Sequence, residues 1–203
     1  AHPVGPSSNT GQKSQTLECL SKPIIDFCTL VFDSDKAVNF FKRMNAQQMV
    51  AYVFGTSSSI VAGPLADRLW NFRYQRSAML IDETSSVCGR LGLSDDGEVM
   101  ISLTGQGCSH VPSWPFVERI AEDLGAHLTR VDIAIDDHSG EIFDVQQFRE
   151  AYHEGLFTMN GRPPHAKSIN DEGTNKGSSF YIGQKGHKEL CIYEKGKQLG
   201  DPE

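Results

Sequence analysis

Residues 88–104, C-G-R-L-G-L-S-D-D-G-E-V-M-I-S-L-T, decide the fold. Two strand-like stretches, 88–93 and 98–104, flank Ser94-Asp95-Asp96-Gly97, and the Asp-Gly pair supplies the turn of a β-hairpin. A two-stranded hairpin is antiparallel, so the sheet around it is expected to be antiparallel too. A second hairpin is expected from 178–185 and 188–194, turning at Gly186-His187. Further strands are expected at 24–33 (I-I-D-F-C-T-L-V-F-D), at 127–137 and within 68–83. The spacing predicts a helix over 36–50, capped by Ser34 or Asp35, with Ala37, Phe40, Phe41 and Met44 on its apolar side. It predicts another over 113–124, with Phe116, Ile120 and Leu124 on one face, and a third over 143–153 capped by Asp144. Gly105-Gln106-Gly107 reads as a tight turn and 159–176 as a polar loop.

The order strand, helix, hairpin occurs in 24–105 and again in 127–195. The residues match poorly, so duplication and chance similarity both stay open. Either way the class is α+β, a mostly antiparallel sheet with helices packed on one face. Residues 1–17 (A-H-P-V-G-P-S-S-N-T-G-Q-K-S-Q-T-L) bury little and read as a disordered tail. An N-terminal α+β half is expected over 18–110 and a C-terminal half over 111–203.

The chain of 203 residues carries 19 Lys+Arg against 26 Asp+Glu, a net charge of -7. That balance argues against a protein that coats nucleic acid non-specifically, but not against a local site. Residues 1–150 account for the whole excess, with 12 basic and 19 acidic side chains. Residues 173–200 are locally basic, because Lys176, Lys185, Lys188, Lys195 and Lys197 face only Glu189 and Glu194. A solvated face of mixed charge is the plainer reading of that strip. Hydrophobic residues at 38% exclude a wholly disordered chain, and no apolar run reaches the roughly 18 residues of a membrane span. The five cysteines are odd in number and widely spaced, without a C-x-x-C pair, which fits reduced thiols. With no secretory pattern at the start, a cytoplasmic place is expected.

Two patterns carry chemistry. In Arg130-Val131-Asp132-Ile133-Ala134-Ile135-Asp136-Asp137 strict alternation packs Val131, Ile133 and Ile135 on one side. Asp132, Ala134 and Asp136 then share the other. Two carboxylates with only alanine between them repel unless a cation intervenes, and a hard divalent ion held by oxygens is one answer. A solvent-facing edge, or pairing with Arg130 and nearby lysines, is the other. In the last hairpin strand Leu190 and Ile192 face inward, while Glu189, Cys191, Tyr193 and Lys195 point away. A phenol beside lysines can serve as a nucleophile towards phosphorus, though a tyrosine packing its ring on a sheet is common. Tyr181, on the partner strand, competes for the role.

The strings L-T-R-V-D-I-A-I-D-D, S-F-Y-I-G-Q-K and L-C-I-Y-E-K-G-K-Q-L-G-D-P-E, with I-S-L-T-G-Q-G-C-S at 101–109, resemble the trans-acting replication initiation factors. That family serves rolling-circle plasmids, filamentous phages and some integrative elements, and the similar parts span about 24–203. The resemblance implies an endonuclease that nicks one strand at an origin through a covalent 5′-phosphotyrosine. It implies Tyr193 as nucleophile, with Lys195 beside it, and Asp132 and Asp136 as ligands of Mg²⁺ or Mn²⁺. Arg130, Lys185, Lys188 and Lys197 are the expected DNA-binding residues. Expected partners are origin DNA, single-stranded or in a hairpin, a host replication helicase and a second copy of the chain, with no membrane, in a bacterial host. Family members continue past G-D-P-E into a further strand, so the chain reads as a fragment or a shortened relative, and whether another metal-binding carboxylate lies beyond Glu203 stays open. A non-catalytic, phage-derived DNA- or protein-binding module regulating replication or superinfection is the alternative.

Overall fold

The computed structural model describes residues 20–199 apart from residues 57, 68, 71, 172 and 175. The expected tail, 1–17, lies outside the described residues. Two compact units divide the chain between Ile135 and Asp136. The larger, Lys22–Ile135, is an antiparallel sheet, and the smaller runs on from Asp136. The helix and strand at 113–134, grouped on sequence grounds with the C-terminal half, are built into the larger unit.

The larger unit contains β1 (Ile24–Phe32), α1 (Asp35–Phe41), α2 (Ala46–Phe54), β2 (Ile60–Ala62), β3 (Arg76–Asp82), β4 (Val87–Leu93) and β5 (Val99–Thr104). It continues with α3 (Gly105–Ser109), α4 (Trp114–Leu124) and β6 (His127–Ala134). The sheet order is β2-β3-β4-β5-β1-β6, every pairing antiparallel. The hairpin that opened the reading is β4 and β5, in register Leu91↔Ile101 and Leu93↔Val99. At its turn Gly97 takes φ +92, which only glycine adopts without strain.

One face of the sheet forms the core. Cys28, Leu30 and Phe32 of β1, Leu80, Leu91, and Val99, Ile101 and Leu103 of β5 are all buried there. Helices α1, α2 and α4 cover them with Phe41, Val50, Val53, Phe54, Val117, Ile120 and Leu124. On the opposite face Thr29 and Ser102 share a 2.7 Å hydrogen bond between their hydroxyls, which satisfies two buried polar groups at once.

The single helix expected over 36–50 is two helices. Ser34 caps the first, accepting from Ala37 N–H, as expected. The second begins because Asn45 accepts from Gln48 N–H while Gln48 returns its side-chain oxygen to Asn45 N–H, a capping box inside an apolar-periodic run. Asn45→Ala removes one half of that box, and thermal unfolding should show a loss of about 1 kcal/mol.

Gly105-Gln106-Gly107 is not a tight turn but the start of α3. A side chain at Gly107 would put its Cβ 2.2 Å from the Cys88 carbonyl oxygen, so the helix can lie this close to β4 only with glycine there. Gln106 reaches the buried Asp82 carboxylate, donating from Nε2 to Oδ2 at 2.9 Å. Thr84 Oγ1 and N–H and Ser86 N–H supply Oδ1 at 2.7, 2.8 and 3.0 Å. These donors, the Thr84 hydroxyl foremost, hold the Asp82 carboxyl at about 2 instead of 3.8. The folded pKa is the lower one, so this contribution is complete above about pH 4 and is lost as pH falls through about 2. Asp82→Asn should therefore flatten the acid limb of stability between pH 4 and 2, read as urea midpoints across that range.

The smaller unit holds α5 (Val145–His153), β7 (Ala166–Asn170), β8 (Ser178–Gly183), β9 (Glu189–Tyr193) and α6 (Lys195–Leu199). Asp144 caps α5, accepting from Gln146 N–H. The strands form a three-stranded antiparallel sheet, β7-β8-β9. The segment expected as a polar loop contains β7, a strand with four of its five residues exposed. Val145, Phe180 and Ile182 are the buried core, with Phe148, Tyr152, Phe157, Ala166 and Ile192 packed on it. Leu20 and Ser21 join this unit by bridging to Asp137 and Asp136. Among the described residues no helix is long and apolar enough to cross a membrane.

Candidate nucleic-acid site

The strand β9 is built so that its two faces differ. Ile192 lies opposite Phe180 and packs on the small core. Its neighbours therefore point the other way: Cys191 lies opposite Tyr181, and Tyr193 opposite Ser179. Lys167 of β7 lies opposite Tyr181 in turn, so one sheet face presents Lys167, Tyr181, Cys191 and Tyr193. Leu190 shares the core side, opposite the buried Ile182, yet is 43% exposed on this edge strand.

The two tyrosines differ in setting. Tyr193, at the end of β9, is 41% exposed. Tyr181 is half-buried, with the Lys167 ammonium 5.0 Å from its ring centre. Its phenol is pushed above its usual range, first by the hydrogen bond it makes to Cys191.

Beyond Tyr193 the chain turns into α6, so Lys195 is helical and not a continuation of the strand. Lys195 Nζ donates to both oxygens of Asp136, at 2.9 and 2.8 Å. Glu194 accepts from Ser178 N–H at 2.7 Å and from Lys197 Nζ at 2.8 Å. The Lys197 bond, then the Ser178 N–H, hold the Glu194 carboxyl below the usual carboxylate range. Lys185 and Lys188 are exposed at the β8–β9 turn.

Asp132 lies in the larger unit, on β6, opposite Phe27 of β1. Arg130, two residues away, donates from Nε and Nη2 to the two Asp132 oxygens, the first bond at 3.0 Å. The same guanidinium stands 4.0 Å from the centre of the Phe27 ring. The alternation holds, with Val131 opposite the buried Cys28 and Asp132 on the other side opposite Phe27, but the side expected to pack is left uncovered. Val131, Ile133 and Ile135 are 42%, 67% and 47% exposed, while Asp132 and Ala134 are half-buried. The reason is position: β6 is the edge strand, and no residue of it reaches the helix-covered core.

The structure thus brings Asp136 to Lys195, Asp132 to Arg130, and Lys197 to Glu194. Both expected metal ligands are held by cations. Among the described residues no three His, Cys, Asp or Glu side chains gather where a metal could sit. The sequence reading missed Phe27 as a platform for Arg130 and Lys167 as a neighbour of Tyr181. An aromatic in β1 carries no mark of what it faces, and Lys167 sits in a segment too polar to read as strand.

No curated protein matches the chain. The family model of the replication initiation factor matches residues 126–203, the segment carrying Arg130, Asp132, Asp136, Tyr193 and Lys195. That match supports a role in replication initiation for the segment it covers.

Proposed function

We infer that this protein starts rolling-circle replication by nicking one DNA strand at an origin, with Tyr193 as the nucleophile. The observation that carries the choice is the setting of Tyr193: it is exposed at the end of β9, inside the family segment, with Lys195 two residues on. Tyr181 is the weaker candidate, because Cys191 holds its proton and Lys167 stands over its ring. In the step, Tyr193 Oη attacks a backbone phosphorus and the bond from phosphorus to the 3′ oxygen breaks. The phenol proton leaves, the 3′ oxygen gains one, and a phosphotyrosine ester replaces the phosphodiester. One ester is exchanged for another, so no external energy source enters. The free 3′ hydroxyl then primes a polymerase.

On this reading the chain meets origin DNA, as a single strand or hairpin, in the bacterial cytoplasm. A host replication helicase and a second copy of the chain are its further partners. A locally basic strip is enough for this, since single-strand binding needs positive charge only along the path of the backbone. The test is incubation with origin-like single-stranded DNA, with and without Mn²⁺, followed by a denaturing gel. A covalent protein–DNA band is expected. Binding without any band under either condition would favour the non-catalytic binding module. The Mn²⁺ arm reads directly whether an ion takes part.

A further inference from the structure

We propose that Asp132 is a positioning residue that fixes Arg130 for a DNA phosphate, rather than a ligand of a metal ion. The inference rests on the DNA reading above and concerns the larger unit alone. Three observations converge on the guanidinium. Nε and Nη2 are bound to the two Asp132 oxygens. One face lies against Phe27, 4.0 Å from the ring centre. The side chain is nevertheless 57% exposed, so the charge is presented to solvent rather than buried. A fork bound at one edge and stacked on one face has lost most of its rotamer freedom before any ligand arrives. The Nη1 edge, left over from the carboxylate, is the part that can take a phosphate oxygen, and its direction is set in advance. Preorganisation of this kind lowers the entropy cost of binding.

The partner of Asp132 is the reason the metal role falls away. A carboxylate with both oxygens on a guanidinium would have to give up two charge-assisted hydrogen bonds to take an ion. Among the described residues no group of three His, Cys, Asp or Glu side chains forms around it.

The competing explanations predict different signs, which makes the test decisive. Removing a negative charge beside a phosphate site should tighten DNA binding if Asp132 merely repels. It should weaken binding if Asp132 holds Arg130 in place. The experiment measures anisotropy of a fluorescent single-stranded oligonucleotide in EDTA, over a salt series, for the full chain. Arg130→Ala should lower affinity and reduce the salt slope by about 0.7, the value of one lost phosphate contact on a single strand. Arg130→Lys keeps the charge but cannot fork or stack, and should lose affinity roughly as much as Arg130→Ala. Asp132→Asn should weaken binding by roughly fivefold to tenfold, the scale of one ordinary net hydrogen bond.

Arg130→Lys binding like wild type, or Asp132→Asn binding equally or more tightly, overturns the proposal. So does calorimetry in which the wild type takes up Mn²⁺ without DNA and Asp132→Asn does not. A wild type that binds no single-stranded DNA overturns the DNA reading itself, and this inference with it. A wild type that binds while Arg130 and Asp132 prove neutral overturns only the present assignment. Arg130→Lys also keeps the test open should Asp132→Asn fail to fold.

Discussion

Tyr193→Phe should abolish the covalent protein–DNA band completely while leaving the fold and the affinity for single-stranded DNA near wild type. The change removes one oxygen. The ring that lies across from Ser179 is unchanged, and among the described residues no hydrogen bond holds the Tyr193 hydroxyl. Nothing structural is therefore lost, and no other atom at that position can form the ester. Tyr181→Phe is the matched comparison. It removes a hydroxyl that is bound to Cys191, so it costs packing order on the same sheet face but should leave the band in place. A band that persists in Tyr193→Phe and disappears in Tyr181→Phe would exchange the roles of the two tyrosines. A band that persists in both would remove tyrosine from the chemistry altogether. The readout is a denaturing gel with labelled DNA, alongside circular dichroism to verify that each variant is folded.

Phe54→Ala should cost about 3–5 kcal/mol of stability, read from urea or thermal unfolding. Phe54 closes α2, has no exposed surface, and belongs to the same buried cluster as Val50, Val53, Ile60 and Leu80. Truncation loses the transfer energy of the ring and leaves a cavity that a close-packed interior refills only in part. Against a total stability on the order of 5–15 kcal/mol, a loss of this size is a large share. Phe72→Ala, at a ring that is 95% exposed, is the contrast and should change stability by less than about 0.5 kcal/mol. A loss below about 1 kcal/mol at Phe54 would mean that the six-stranded sheet and its helices do not share one packed core.

What could be read from the chain was what is decided locally. The hairpin of β4 and β5 follows from Asp96-Gly97 between two apolar runs, and the caps at Ser34 and Asp144 sit where their helices begin. The helix break at Asn45 was hidden because the apolar spacing runs straight across it. Only the reciprocal bond between Asn45 and Gln48 shows that the chain starts afresh there. Strand β7 escaped notice because an exposed strand has no alternation to show. That the apolar side of β6 would stay uncovered was not legible for a related reason. Alternation tells which residues share a side, but whether that side is covered depends on the strand's place in the sheet. Of the candidate site, the residue types were legible and their pairings were not. Asp136 and Lys195 are 59 positions apart, and no spacing rule joins them.

Among the described residues three buried apolar side chains, Val145, Phe180 and Ile182, with five half-buried ones around them, form the interior beneath the sheet that carries Tyr193. An interior that small gives up little apolar contact when it parts, so local opening of β8 and β9 is cheap compared with opening β1 or β5. Tyr193 therefore sits on a pliant support. Such a strand can adjust its pitch and spacing to an irregular, melted stretch of DNA, a task for which a rigid floor would be poorly matched.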